Sequence, residues 1–306
     1  MKAVFIDRFG GPDVLIYGDR PDSLAGPGQV VVDVAAASVN GADWRVRAGQ
    51  YANAQFPLIL GRDFSGTVSA KADDVHDLKV GDAVFGVLEA GREGAYAEKL
   101  AIAAAIIAKK PDAISHAEAA AIALTGLTAV ISIETTLKLE RGETILIQGG
   151  AGGVASFAIQ LAKHIGARVI STTSAANLDY VHGLGADEVI DYNSQDFTCV
   201  VSGCDAVFDT VGGEVAQKSF AVLRSGGRAA FIASGPQAPK PERGDVTALR
   251  PAVGRSRPPL ETVGRLVTSG AVRPPEIKLF PLSQAAEAHR ISEGRHFRGK
   301  LVFQVR

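Results

Sequence analysis

The twelve residues from Thr144 to Ala155 read Thr-Ile-Leu-Ile-Gln-Gly-Gly-Ala-Gly-Gly-Val-Ala, an order suited to holding a phosphate. An apolar, strand-like run breaks into four glycines and then into a helix-patterned segment. Gly150, Gly152 and Ala155 fit the spacing of the dinucleotide fingerprint. Glycines there permit a tight turn and let a pyrophosphate reach the backbone of Gly150, Ala151, Gly152, Gly153 and Val154 at a helix N-terminus. The partial positive charge of that terminus favours an anion. A plain glycine turn is the bland alternative, but it does not explain the strand before and the helix and second strand after.

The second strand of such a unit reads the adenosine ribose, and an Asp or Glu about 20 residues past the glycines signals NAD. Here that stretch is Ser171-Thr-Thr-Ser-Ala-Ala-Asn177, and no carboxylate falls between Ala155 and Asp179. A carboxylate would repel a 2′-phosphate, whereas hydroxyls and an amide can donate to it. The expected cofactor is therefore NADPH, with Ser174 at the discriminating position and Thr173, Asn177 and Tyr192 near it. No Lys or Arg lies between Ala175 and Tyr192 to add a local cation.

Other chemistry is poorly supplied. The six histidines (His76, His116, His164, His182, His289, His296) form no motif. Cys199 and Cys204 stand alone, which excludes a disulfide framework and makes a poor zinc site.

The elements that position these residues follow from periodicity. Residues 1–110 show short β runs at 3–7, 30–37, 66–70 and 83–87, separated by Gly, Pro and Asp turns, as in an irregular antiparallel domain. Ser115 and Glu118 form a capping box that opens an Ala-rich helix running to about Thr136. Strand patterns at 144–147, 168–172, 188–191, 206–209 and 228–233 then alternate with helical stretches. Such repeated β–α units predict a doubly wound parallel sheet. Residues 234–259 read as loop, with an edge strand at 245–249. Helices at 260–268 and 284–292 and a strand at 300–305 complete the chain. The tail is expected to return to the first domain. The predicted division is 1–118 with 270–306, and 119–269 for the dinucleotide domain.

The chain resembles the zinc-independent quinone oxidoreductases (zeta-crystallin-like) of the medium-chain dehydrogenase/reductase superfamily over nearly its whole length. The resemblance is carried by Ser38-Val-Asn-Gly-Ala-Asp43, Arg47-Ala-Gly-Gln-Tyr51, Gly61-Arg-Asp-Phe-Ser-Gly-Thr-Val68, Val80-Gly-Asp-Ala-Val-Phe-Gly86, Leu124-Thr-Gly-Leu-Thr-Ala129, the glycine fingerprint, Phe208-Asp-Thr-Val-Gly-Gly213 and Arg298-Gly-Lys-Leu-Val302. It implies a Rossmann domain, a discontinuous GroES-like β domain, and NADPH held in a cleft between them. It also implies that Asn40 and Thr128 touch the nicotinamide–ribose end and that Tyr51 lies beside the substrate, Asn40 and Tyr51 being the candidate catalytic residues. The backbone of Ile232, Ala233 and Ser234 would face the carboxamide, Tyr192 would flank the adenosine phosphate, and Arg298 could close the site from the tail. A homodimer joined through edge strands of the cofactor domain is a further implication.

The superfamily also contains zinc enzymes, which use a Cys ligand in the first domain and a His-Glu pair. This chain has Asn40 to Asp43 and Gly61-Arg-Asp63 in those regions and no Cys before residue 199, so no metal is expected. Without a Lewis acid, alcohol–ketone chemistry is disfavoured and a quinone or α,β-unsaturated carbonyl is the expected acceptor. An enoyl-thioester reductase, using Arg243, Arg250, Arg255 and Arg257 along a basic groove, and a non-enzymatic NADPH sensor are the alternatives. Arg45, with Trp44 before it, stands where some relatives have an aromatic residue; it either points to solvent or puts a cation near the substrate mouth.

Bulk properties are those of an ordinary soluble chain. Of 306 residues 21% are charged, and the formal net charge of −1 offers nothing to nucleic acid or an anionic membrane. No apolar run of membrane-spanning length and no secretion signal is evident, so a cytoplasmic setting is expected.

Overall fold

The computed structural model describes residues 1–50, 55–89, 91–235 and 238–306. They form two compact units.

Residues 125–253 and 269–273 make up one of them. Its strands are Thr144–Gln148, Arg168–Thr173, Glu188–Asp191, Cys204–Asp209, Leu223–Phe231 and Thr247–Leu249. All pair in parallel, and counted along the chain they lie in the order 3-2-1-4-5-6. This is the doubly wound sheet predicted above. Its strands are apolar on both faces (Ile145, Leu146, Ile147, Val169, Ile170, Val207, Phe208 are buried), as a sheet covered on both sides requires. Helix Gly153–Ile165 starts from Gly152 in extended geometry and stops at Gly166, whose φ of 96° is the left-handed cap that glycine adopts without penalty. The first and fourth strands are neighbours, with Gln148 level with Asp209. The loops after them therefore leave the carboxyl edge where the strand order reverses, the usual place for a ligand. Cys204 is buried at the start of the fourth strand, Cys199 is exposed, and both are free.

The other unit comprises residues 1–124, 254–268 and 274–306. Its hub is strand Gln29–Ser38, which pairs antiparallel with Asp63–Lys71, Lys99–Ala103 and Lys300–Gln304. Ala83–Val87 and Ile107–Lys109 extend the sheet on one side, and Ile277–Pro281 runs parallel to Lys300–Gln304 at the other edge. Alternate residues Val30, Val32 and Val34 are buried with Phe64, Leu100, Leu301 and Phe303 in one core. A smaller sheet joins Lys2–Ile6 to Ile16–Asp19 and Leu58–Ile59. The C-terminal strand puts Val302 opposite Ser38, so the last residues of the chain flank the segment that leads to Asn40.

Three details depart from the sequence reading. Helix Arg257–Thr268, assigned by sequence to the dinucleotide domain, belongs with the β unit. Arg257 donates to the Ile107 carbonyl at 2.8 Å and pairs with Asp77, and a Cβ on Gly264 would lie 3.3 Å from Pro111. The boundary between the units falls after Leu124, inside helix His116–Val130, whereas sequence placed it at residue 118. That helix continues as a π-helical turn over Ile131–Thr136, and the 21 residues are long and apolar enough to cross a membrane. Of its most apolar window 78% is buried within the protein, as in a core helix.

Gly66 marks a place where the sheet admits no side chain: a Cβ there would stand 2.1 Å from the Asp33 carbonyl oxygen. Gly66→Ala is expected to cost about 1–3 kcal/mol by overpacking against backbone. A urea midpoint unchanged from wild type would contradict this reading.

Candidate active site

In the dinucleotide unit the glycine loop is pressed against the second strand. The Gly150 amide donates to the Thr172 carbonyl at 2.8 Å, and a Cβ on Gly150 would stand 2.4 Å from Ser171 Oγ. Gly152 donates to the Gly149 carbonyl at 2.9 Å and precedes the helix, so the first-turn amides of Gly153 and Val154 have no partner within that helix. Ala151 lies buried in the same turn. From the neighbouring strand, buried Asp209 accepts from the amides of Val211 and Gly212 at 3.2 and 2.9 Å. Burial pushes the Asp209 carboxyl up, and those two amides oppose the shift. The Ile232 amide reaches the Asp209 carbonyl at 3.2 Å, and a Cβ on Gly212 would come within 2.7 Å of the Ala233 carbonyl. The Ser234 hydroxyl is buried with no partner among the described residues.

The second strand ends at Thr173, one residue beyond the expected 172. Thr173 is buried, its carbonyl accepts from the Tyr192 amide at 3.1 Å, and Tyr192 is half exposed. Asn177 donates through Nδ2 to Ser174 Oγ at 3.1 Å and through its amide to the Ser174 carbonyl at 2.9 Å. Four predicted residues are thereby brought together at one carboxyl edge. A nucleotide fits this edge: the loop has no room for side chains, a buried hydroxyl lacks a partner, and the rim of Ser174, Asn177 and Tyr192 carries hydroxyls and an amide. Thr128 is buried in helix His116–Val130. Tyr51 lies outside the described residues.

The β unit holds a buried polar network that sequence reasoning identified only at Asn40. Asn40 precedes the short helix Gly41–Arg47, and its amide donates to Asp43 Oδ2 at 2.8 Å. Its Nδ2 donates to Asp63 Oδ1 at 2.9 Å, and its Oδ1 accepts from Lys300 Nζ at 2.8 Å. Lys300 also donates to the Val39 carbonyl at 2.8 Å, while Ser38 Oγ donates to both Asp63 oxygens at 2.9 Å. Tyr96 donates its phenol to Asp43 Oδ2 at 2.7 Å. Arg62 lies 3.8 Å from the other Asp43 oxygen and 2.6 Å from Glu93. Asn40 thus has its side-chain amide fixed from both ends. Arg298, expected to close the cofactor site, forms an ion pair with Glu276 at 2.7 Å on the exposed part of this unit, and it is Lys300, two residues on, that enters the network. The Gly-Lys dipeptide opening a strand was the available signal.

Burial dominates the electrostatics. It raises Asp43, Asp63 (to about 6) and Glu93 (to about 7), with Lys300 or Arg62 opposing, and it lowers the Lys300 ammonium, which the two aspartates pull back up. Burial and the Asp43 charge push the Tyr96 phenol well up. Zinc does not fit here: no group of three or more His, Cys, Asp or Glu side chains able to hold a metal occurs among the described residues. The cation behind Asn40 is an ammonium.

Residues 26–112 match the alcohol dehydrogenase GroES-like domain, and residues 184–303 match a family described as zinc-binding dehydrogenase. The chain is 33% identical to the chloroplastic NADPH-dependent alkenal/one oxidoreductase of Arabidopsis thaliana, over 99% of this chain and 79% of that protein. The quinone oxidoreductase structure from Coxiella burnetii superposes with a TM-score of 0.94 at 35% identity, covering 100% of this chain and 99% of that one. The Escherichia coli quinone oxidoreductase, complexed with NADPH, superposes at 0.90 with 27% identity and full coverage of both. These likenesses define the class as medium-chain dehydrogenase/reductase. Within it, the chain belongs to the quinone oxidoreductase (zeta-crystallin-like) family.

The network sets a pH dependence. Asp63 titrates near 3.8 when unfolded and at about 6 in the fold, so between those values the folded chain binds more protons. Its contribution to stability therefore falls as pH rises from about 4 to 6 and is level above that. Asp63→Asn should flatten the stability curve across this window in urea titrations at stepped pH. An unaltered slope would remove Asp63 as its source.

Proposed function

We propose that the chain is an NADPH-dependent, metal-independent reductase of quinones or α,β-unsaturated carbonyls. The observation that carries this reading is Lys300: an ammonium offsets the carboxylates behind Asn40, and no donor set able to hold a Lewis-acid metal occurs among the described residues. An acceptor reduced here must delocalise its own negative charge, as a quinone or enone does. The carboxylate-free rim at Ser174 and the NADPH named for two of the similar proteins support the cofactor.

The glycine loop and the first-turn amides of Gly153 and Val154 would hold the pyrophosphate, Ser174, Asn177 and Tyr192 the 2′-phosphate, and Ile232 to Ser234 the carboxamide. Bound there, NADPH supplies a hydride equivalent to the acceptor. Asn40 orients, because both ends of its side chain are already engaged. Orientation of this kind can lower a barrier by about 7–11 kcal/mol. Water can supply the proton.

Three of the four arginines named for a thioester groove are already engaged. Arg243 is held by Asp245 at 2.6 Å, Arg255 donates to the Leu88 carbonyl at 3.0 Å, and Arg257 is tied to Ile107 and Asp77. We further propose a homodimer through the edge strand Thr247–Leu249, which pairs on one side, and a cytoplasmic location, in keeping with two free thiols. Light scattering and cell fractionation test these.

NADPH oxidation should be fast with 9,10-phenanthrenequinone and with a simple enone, slow with crotonyl-CoA, and insensitive to chelators. Tight NADPH binding without turnover of any acceptor would favour a sensor. Ser174→Asp should move the NADPH/NADH preference toward NADH by at least about tenfold, through repulsion of the 2′-phosphate. An unchanged ratio would reject Ser174 as the reader.

A further inference from the structure

Trp44 lies on helix Gly41–Arg47, one residue beyond Asp43, and is the only tryptophan of the chain. Its indole edge folds back to the start of the helix: a Cβ on Gly41 would lie 3.8 Å from Trp44 Nε1, beside Asn40. That indole N–H is buried and has no acceptor among the described residues. Two guanidinium groups gather on the same ring, Arg45 with its central carbon 5.3 Å from the centroid and Arg295 at 5.8 Å. Arg47, Arg228, Arg257 and Arg290 each reach a carboxylate, but no ion pair involves Arg45 or Arg295 among the described residues. Two like charges drawn to one ring repel each other, and a bound anion would relieve that repulsion.

Arg295 adds a second, independent mark. It follows helix Ala285–Gly294 with a φ of 54°, the left-handed conformation in which glycine is the ordinary residue, although Gly294 stands next to it. A side chain kept where its absence would relieve the backbone points to a use for that side chain.

We propose that Arg45 and Arg295, gathered on Trp44 beside Asn40, form a subsite for a carboxylate carried by the acceptor. The preferred substrates are then conjugated acceptors bearing an acid group, not neutral enones. The proposal rests on the acceptor-reductase reading above and narrows its substrate class. The guanidinium forks match a carboxylate in shape and charge.

The test compares 4-oxopent-2-enoate with its methyl ester, in which the negative charge of the acid group is removed. Wild-type enzyme with NADPH should favour the acid in kcat/KM, chiefly through KM. Arg45→Gln and Arg295→Gly should each lower the acid-to-ester ratio about tenfold, as loss of a charge-assisted contact predicts. Arg290→Gln, in the exposed pair with Asp13, serves as the control and should keep the wild-type ratio. An equal preference in wild type, or a ratio that survives both substitutions, overturns the subsite. A separate readout needs no turnover: saturated 4-oxopentanoate should change Trp44 fluorescence in a salt-sensitive way, and its methyl ester should not. Failure of every acceptor to oxidise NADPH would sink the reductase reading, while the fluorescence titration would still decide the carboxylate site. Equal responses to the acid and the ester would overturn that site.

Discussion

A single buried ammonium holds the β unit's chemistry in place. Lys300 reaches the Val39 carbonyl and the Asn40 side chain, with Asp63 and Asp43 close enough to pull its proton affinity back up against burial. Burying such a cation is tolerable only because its neighbours satisfy it, and taking away one partner leaves a charge stranded. Asp63 in turn accepts from Ser38 and Asn40, and Asp43 accepts from Tyr96 and the Asn40 backbone. Each member therefore depends on the others, and Asn40 inherits a fixed orientation.

This dependence explains why the chain returns to its first unit at the end. Lys300 comes from the C-terminal strand and Asn40 from the end of the hub strand, and the antiparallel register that sets Val302 against Ser38 brings them side by side. A domain made only of the N-terminal residues would lack the cation. The discontinuity that looks like an accident of topology supplies the charge for the site.

Much of the dinucleotide unit was legible in the sequence, because its signals are local. Four glycines between a strand and a helix, and hydroxyls in place of a carboxylate at Ser174, involve residues near each other in the chain, and the structure groups Thr173, Ser174, Asn177 and Tyr192 accordingly. The network around Asn40 was legible only in part, since its members are drawn from segments up to 261 residues apart. The family resemblance pointed to Arg298, which lies just ahead of the last strand, whereas the buried cation is Lys300, the first residue of that strand. Helix Arg257–Thr268 was assigned to the wrong unit for a similar reason: the contacts of Arg257 with Ala104 and Ile107 are not visible in local pattern. Likewise, composition could not show that Arg243, Arg255 and Arg257 are engaged with backbone carbonyls and neighbouring carboxylates.

The placement of the two cysteines has a consequence for durability. Quinones and enones alkylate thiolates, so an enzyme that handles them risks modifying itself. Cys204 is buried and pushed up to about 11, which keeps its sulfur protonated and unreactive at neutral pH. Only Cys199, exposed on the dinucleotide unit, is open to such adducts. Self-inactivation by its own class of acceptor would then be confined to one sulfur on a helix away from the glycine loop in sequence, and the β unit, which has no cysteine at all, would be spared.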